Sequence, residues 1–476
     1  MAIAALLVFD YAGAQDNDQW WLLATGREIV TSGIPYMNPF DVYGDQAIVV
    51  QQWIPAVLDY MLYESLGYVG FGLCVLVQGA IVAALAVSLG RKAMGNGNLD
   101  IACIVAAMMI SVCSAYMSIR PQMWSMIAFL AILNVMESYR RSDNWKTLIW
   151  LPVIVIVHAN VHMAMMPFDF VIVACYMLPS LHTLHLDTMN DRYHKLRLLI
   201  PMAAMALAAL CNPYGIDGAM YLVNSYGAAS YGNYIAEMGT TPTDTYYGIM
   251  MIASMIVGSM ALGRLGLKKL NLPLTALFLM TLVLSFQHTR NVWLVALFAV
   301  PLVCSALETI HLNPRLRFLR DDAIKIISGT VGVFLILIVG VQVMTDNLVK
   351  EPTDTASTPI EAADWLDSNA ETGAKVFTHF NAGGYMEWRG YRVGMDPRPE
   401  LWNAAISKNG VNRYKEYIDM SQDKLSCEEY LSGKDFDYLL VNTDTELYKY
   451  LTASEMYSAV KNGSGYVLFA AKTAAV

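Results

Sequence analysis

Long apolar stretches alternate along the chain with short charged ones, and the stretches have the length of helical membrane spans rather than of strands. Apolar runs near 66–90, 99–118, 121–138, 147–160, 164–181, 197–212, 247–263, 272–286, 291–308 and 324–345 predict helices that cross, or nearly cross, roughly 30 Å of hydrocarbon, a task for about 20 apolar residues. The opening "MAIAALLVF" has no basic leader and too little length to cross. It is read either as a shallow segment or, preferred, as a first span that begins partway. The expected architecture is an all-α polytopic membrane domain of about 10–11 helices.

The loops between the runs divide by charge. One set carries Arg91 and Lys92; Arg140, Arg141 and Lys146; Arg192, Lys195 and Arg197; Arg264, Lys268 and Lys269; and Arg315, Arg317, Arg320 and Lys325. The alternate set carries almost only Arg120 and Arg290. Basic loops stay on the cytoplasmic side, so strict alternation sets the orientation. Residues 10–65, 213–246 and everything from 346 onward then face outward. The domains expected are 1–65, a truncated span and outer loop; 66–345, the helical membrane domain; and 346–476, a small extracytoplasmic α/β domain.

Within the first outer region "DQWWLLATGREIVTSG" and "AIVVQQWIPAVLDYMLYESLG" predict two interfacial helices, separated by the Pro-broken "IPYMNPFD". Trp20, Trp21, Trp53 and Trp124 are read as anchors at the headgroup level rather than as sugar-stacking platforms. In the tail, "TDNLVKEPTDTASTP" is a linker and "AADWLDSNA" a helix. "KVFTHF", "YRVGMD", "DYLLVNTD" and "YVLFAA" predict strands, the first two flanking a turn at "NAGGYMEW".

Composition agrees with the spans: 476 residues are 56% hydrophobic and 15% charged, against roughly 25% charged in soluble domains. The net charge of −9 averages unlike compartments and names no partner. No nucleic-acid partner is expected. Six cysteines fall in or beside apolar runs and Cys427 is alone in the tail, which gives no disulfide framework. There is no GxxxxGK[ST] loop and no internal repeat. ATP and nucleotide sugars are absent outside the cytoplasm, so outward chemistry draws on a substrate delivered through the membrane, for which a lipid-linked molecule is the natural candidate.

The polar residues at outer helix ends are few: Asp10, Asp16, Asp18 and Arg27; Arg120; His158, Asn160 and His162; Asn212 and Tyr214; His288 and Arg290. Ionisable groups are costly at this depth and tend to line cavities, so one polar chamber is expected. A phosphate joining sugar to lipid needs neutralising, which Arg120, Arg290 and His288 can supply. Transfer of the sugar needs a carboxylate beside the acceptor hydroxyl, for which Asp18 or Asp16 is the candidate base. The second acid can orient the first, bind the acceptor or hold a divalent ion (Mg, Mn or Ca); the ion is optional in this reading. His158 and His162, four apart, share a helix face, and with Asn160 and Tyr214 are expected around the substrate. Structural alternatives stand beside each: Asp16 or Asp18 as an N-cap, Arg120 as an interfacial snorkel, His288 and Arg290 likewise.

These stretches, "DNDQWWLLATGREIVTSGIPYMNPF", "VVQQWIPAVLDYMLYESLG", "IRPQMWS", "HANVHM", "CNPYG", "RNVWLVALFAVP" and "FNAGGYMEWRGYRVGMDPRPELW", resemble in that order bacterial multi-pass membrane proteins grouped with the GT-C glycosyltransferases. The resemblance implies a polyprenyl-phosphate or polyprenyl-pyrophosphate sugar as donor, a lipid, glycan or protein acceptor, an acid in the first outer loop near the reaction, and a bacterial cytoplasmic membrane. Asp16 and Asp18 match the acidic motif; Arg120, His158, His162 and Arg290 match polar positions. Two positions depart from the pattern: Leu22 stands where a His often follows the tryptophan pair, and Met163 where a Gly follows the second His. "GMDPRPELW" resembles a stretch usually written Asp-Gly-Arg and keeps Asp396 and Arg398, in a domain read as a lid or acceptor-binding module. The function expected is transfer of one sugar to an extracytoplasmic acceptor. The rival functions are a transporter or flippase of lipid-linked saccharides, disfavoured by spans with few central charges and no paired inverted halves, and a non-catalytic envelope scaffold.

Overall fold

The computed structural model describes residues 17–95, 97–179, 193–226, 236–266, 270–309, 352–371, 373–404 and 408–472, and residue 3 besides. Asp10, Asp16, the partial first span, the run 324–345 and the start of the tail linker lie outside the described residues. Two helices come first, α1 (Gln19–Ser32) and α2 (Trp53–Leu66). They are followed by α3 (Tyr68–Ala93), α4 (Leu99–Cys113), α5 (Gln122–Ser142), α6 (Trp150–Val161), α7 (Pro167–Cys175), α8 (Leu199–Ala208), α9 (Tyr246–Leu265), α10 (Leu272–Gln287) and α11 (Val292–Glu308). The tail contributes α12 (Ile360–Asn369), β1 (Lys375–Thr378), α13 (Gly383–Trp388), β2 (Arg392–Val393), α14 (Arg413–Ser421), α15 (Cys427–Leu431), β3 (Tyr438–Asn442), α16 (Glu446–Ala453), β4 (Tyr457–Gly463) and β5 (Tyr466–Ala471). The chain divides into two compact units, one of Met1–Ala14, Phe71–Leu222 and Ala229–Val349, the other of Gln15–Gly70, Val223–Ala228 and Lys350–Val476.

The first unit is helical, and every described apolar run of the sequence lies on a helix. Tyr68–Ala93, Leu99–Tyr116, Tyr246–Leu265 and Thr289–Glu308 are long and apolar enough to cross a membrane by length and composition. Helix α11 is the centre: residues from Val292 to Cys304 are buried almost without break, and it packs on α4, α9 and α10. Phe129 of α5 stacks on Trp293 of α11 at 5.8 Å between ring centres. The outer faces carry Val77, Ile104, Leu207, Met260 and Val283 exposed, so these helices are apolar all round, as spans are and water-facing amphipathic helices are not. Asn98, Thr245 and Asn271 cap α4, α9 and α10 by accepting from Ile101 N, Gly248 N and Leu274 N. Arg140, expected as a loop charge, instead folds back on α5: its Nη2 donates to Glu137 Oε2 at 2.7 Å. Glu137 also accepts from the Tyr176 hydroxyl at 2.8 Å.

The second unit is built on a five-stranded sheet, order β2-β1-β3-β5-β4. Strand β1 pairs in parallel with β2 and β3, while β5 is antiparallel to β3 and β4. Phe377, Leu439, Val441, Val467 and Phe469 from its strands form the core with Tyr430, Phe436 and Leu447. Helices α1 and α2 pack together in this unit, with Trp21, Leu22 and Ala56 buried between them. The approach is close enough that a Cβ on Gly26 would stand 2.0 Å from the Ala56 carbonyl oxygen. The segment after α1 joins the sheet through a parallel bridge of Asp41 with Val393. Buried Asp45 pairs there with Arg413 at 2.8 Å.

Three sequence expectations change here. "NAGGYMEW" is not a turn: it contains α13, and its glycines admit close neighbours, since a Cβ on Gly383 would lie 2.0 Å from the Met395 carbonyl oxygen and one on Gly384 3.3 Å from Trp21. Strand β4, whose side chains are mostly half-exposed, has no expected counterpart. Trp20 and Trp21 are not headgroup anchors; both are buried, Trp20 edge-on to Tyr385 at 5.0 Å and Trp21 beneath the Arg398 guanidinium at 4.9 Å.

Candidate functional site

In the first unit, three of the expected phosphate ligands meet at one short segment. Arg120 sits in the turn before α5 and its Nη1 reaches Glu237 Oε1 at 3.4 Å. His288 ends α10, and its Nδ1 donates to the Met238 carbonyl at 2.6 Å; Arg290 Nη1 lies 3.3 Å from the Met238 sulfur. The segment is further fastened where Thr289 N donates to Gly239 O and Thr241 N to Phe286 O, each at 3.2 Å. Two guanidinium groups and an imidazole thus share residues 237–239 as a common neighbour. The Arg120 side chain keeps 23% of its surface, which leaves it able to meet an anion.

The histidines of "HANVHM" belong to a second arrangement in the same unit. His158, in the last turn of α6, has both ring nitrogens engaged: Nδ1 with Asp169 Oδ2 at 2.9 Å and Nε2 with Ser125 Oγ at 2.9 Å. Ser125 Oγ in turn meets His162 Nδ1 at 2.7 Å. His158 and Asp169 are fully buried and His162 is 5% exposed, so His158 stands behind His162 rather than at a surface. Asn160 is used as a tether, its Nδ2 donating to Ile156 O and Cys211 O, both at 2.7 Å. Asn212 shapes the next turn by accepting from Tyr214 N at 2.9 Å, and Tyr214 is buried. Ser125 and Asp169 are absent from the sequence expectations. The signal for Asp169 is an acid inside the apolar run 164–181; a serine in "QMWSMI" carries none.

Asp18 belongs to the second unit and Asp16 is outside the described residues. Asp18 occupies the N-cap position of α1, yet its side chain makes no capping hydrogen bond, so capping does not account for it. Helix α1 is held from the tail: Arg27 Nη2 donates to Trp388 O at 2.8 Å with its guanidinium over the Trp388 ring at 4.7 Å. Arg398 bonds Glu387 and Asp396, both fully buried. Burial first, and the Asp396 carboxylate beside it, push Glu387 well above the usual carboxylate range against the pull of Arg398. In the "GMDPRPELW" stretch, therefore, Asp396 holds Arg398 within the tail, and Arg398 reaches α1 at Trp21 and Thr25.

Among the described residues no group of three or more His, Cys, Asp or Glu could hold a metal ion. An apolar cavity of about 490 Å³ lies between α4, α9 and α11, lined by Val105, Met109, Ser111, Ala253, Val257 and Ala296 among others.

No protein-family profile matches the chain, and no characterised protein matches it by sequence. Solved structures do match in fold. An Archaeoglobus fulgidus oligosaccharyltransferase tethered to an acceptor peptide aligns with a TM-score of 0.59 and 11% identity over 93% of this chain and 69% of its own. The oligosaccharyltransferase AglB from Archaeoglobus fulgidus, in complex with an inhibitory peptide and a dolichol-phosphate, aligns at 0.58 and 11% over the same shares. ArnT from Cupriavidus metallidurans, bound to undecaprenyl phosphate, aligns at 0.56 and 11% over 98% of this chain and 97% of its own. At such identities the likeness is one of architecture, and the chain has a GT-C-like fold.

Proposed function

We propose that the protein is an integral-membrane glycosyltransferase that moves a sugar from a polyprenyl-phosphate donor to an acceptor outside the cytoplasmic membrane of a bacterium. The observation that carries this is the gathering of Arg120, His288 and Arg290 about residues 237–239 at helix ends of an apolar bundle. A cation cluster there suits a phosphate whose hydrocarbon tail stays among the helices, and the apolar cavity between α4, α9 and α11 is of a kind to hold that tail. The orientation rests on the charge alternation of the loops.

In this reading the carboxylate of Asp18 or Asp16 takes the proton of the acceptor hydroxyl as its oxygen bonds the anomeric carbon. The bond from that carbon to the phosphate oxygen breaks, and the electron pair leaves with the phosphate. Arg120 and Arg290 stabilise that charge, and His162 borders the same anion. The acceptor is a lipid, a glycan or a protein.

The test uses purified protein with undecaprenyl-phosphate-linked sugars and membrane extracts as acceptor, product being read by mass spectrometry. Asp18→Asn or Asp16→Asn should abolish transfer while leaving the melting temperature unchanged. Full activity in both variants refutes the assignment of the base; no polyprenyl-phosphate species copurifying or binding refutes the donor class.

A further inference from the structure

Asp169, His158, Ser125 and His162 form one unbroken line of hydrogen bonds, of 2.9, 2.9 and 2.7 Å, inside apolar packing. Phe129 meets the His158 ring edge-on at 5.5 Å, His162 also hydrogen-bonds the Pro121 backbone, and Arg290 lies within electrostatic reach of it. Burying so many polar groups is costly unless each is satisfied. A scaffold could have used leucines.

The proton positions follow from counting. Ser125 has one hydroxyl proton and two histidine nitrogens to serve, so it donates to one and accepts from the other. If it donated to His158, that ring would carry its proton on Nδ1 and Asp169 would be a bare carboxylate, although Asp169 Oδ1 is buried with no hydrogen-bond partner. A lone anion there is the most expensive arrangement. The economical one keeps a proton shared within the Asp169 and His158 pair, has His158 Nε2–H donate to Ser125 Oγ, and has Ser125 donate to His162 Nδ1. His162 is then neutral, with its proton on Nε2.

From this geometry we infer that Asp169, His158 and Ser125 are a proton relay that charges His162 when an anion arrives beside Arg290. The inference rests on the phosphate-binding reading above. In the step, Ser125 passes its proton to His162 Nδ1 and receives that of His158 Nε2. His158 keeps a proton on Nδ1, and Asp169 is left as the carboxylate. One positive charge appears on His162, one negative charge on Asp169, and no proton is drawn from solvent. The imidazolium forms next to the phosphate that is gaining charge, and the reverse shift discharges it when phosphate departs. Ser125, His158 and Asp169 are positioning residues, and so is His162, whose ring is held by Ser125 and by the Pro121 backbone and acts on the anion through its charge beside Arg290.

Calorimetry of undecaprenyl phosphate binding to the full-length protein, repeated in buffers of different ionisation heat, reads the protons exchanged. The wild-type chain should take up none. Ser125→Ala and Asp169→Asn should take up about one proton per phosphate, because His162 must then charge from solvent, and Ser125→Thr should return to none. A role limited to packing would alter affinity and leave proton number alone. Proton uptake by the wild type, or wild-type stoichiometry in both broken variants, overturns the relay. Nitrogen-15 spectra of the ligand-free protein, with the His162 signals identified by their loss in His162→Gln, give a second decision: the proton belongs on Nε2, and finding it on Nδ1 overturns the relay by itself. If neither undecaprenyl phosphate nor inorganic phosphate binds, the donor reading fails and the trigger with it, whereas binding with unchanged proton number sinks the relay alone.

Discussion

Arg398 and Glu387 are joined through a single nitrogen: Nη2 of the arginine donates to both carboxylate oxygens, at 2.8 and 2.9 Å. The same guanidinium serves Asp396, through Nε at 3.0 Å and Nη2 at 2.9 Å. Two acids thus share one cation, in a site where the arginine also covers Trp21. Removing the cation leaves both carboxylates buried without it. Arg398→Met should therefore cost about 3–5 kcal/mol of unfolding free energy, read by denaturant titration with tryptophan fluorescence. Arg398→Lys, with charge but no planar fork, should fall between.

The same cluster makes stability depend on pH in a direction that can be worked out. Glu387 is held above its ordinary value of 4.5, so in the interval above that value the folded chain binds more protons than the unfolded one. Stability is then fully present below the unfolded value and is lost as pH rises through the raised one. Melting temperature should decline across that interval, and Glu387→Gln, which stays neutral, should flatten the decline. An equal slope in the variant would mean that Glu387 is not the group that titrates.

Glycines at two contacts of α1 are predicted to behave differently. Gly26→Ala drives a methyl into backbone, the Ala56 oxygen at 2.0 Å, and should cost about 1–3 kcal/mol or more through displacement of α2. Gly384→Ala meets Trp21 at 3.3 Å, where a shift of a few tenths of an ångström suffices, and should cost distinctly less. Paired thermal melts of the two variants read the difference.

Loss of one guanidinium at the proposed phosphate site should weaken binding without unfolding the chain. A hydrogen bond to a charged group is worth about 1.5–3 kcal/mol, so Arg290→Gln and Arg120→Gln should each raise the Kd for undecaprenyl phosphate about ten- to a hundredfold. Unchanged affinity in both would remove the cluster from the site.

The long apolar helices were legible because apolar side chains on every face leave little other reading, and the runs at 66–90 and 247–263 carry that directly. Helix α13 was not, because paired glycines read as a turn when nothing reports the Met395 carbonyl and Trp21 pressing on them. Trp20 and Trp21 were misjudged for a related reason: a membrane interface and a protein partner both accept an indole, and only the fold tells which is there. The cations Arg120, His288 and Arg290 were visible as rare charges at helix ends. Ser125 was not, since a serine in an apolar helix commonly bonds its own backbone; its two histidine partners come from another helix and the turn after it.

Helix α1 is made long before the residues that hold it: Arg27 finds its carbonyl acceptor 360 residues later, at Glu387, and Asp45 meets Asn409 after 364. Until residues 385–398 have been synthesised, the indoles of Trp20 and Trp21 lack the Tyr385 ring and the Arg398 guanidinium that pack on them. Biogenesis accordingly has a waiting period, in which the early segment depends on chaperones or on the lipid surface for protection. A ribosome stalled before residue 385 would release a chain with both indoles bare.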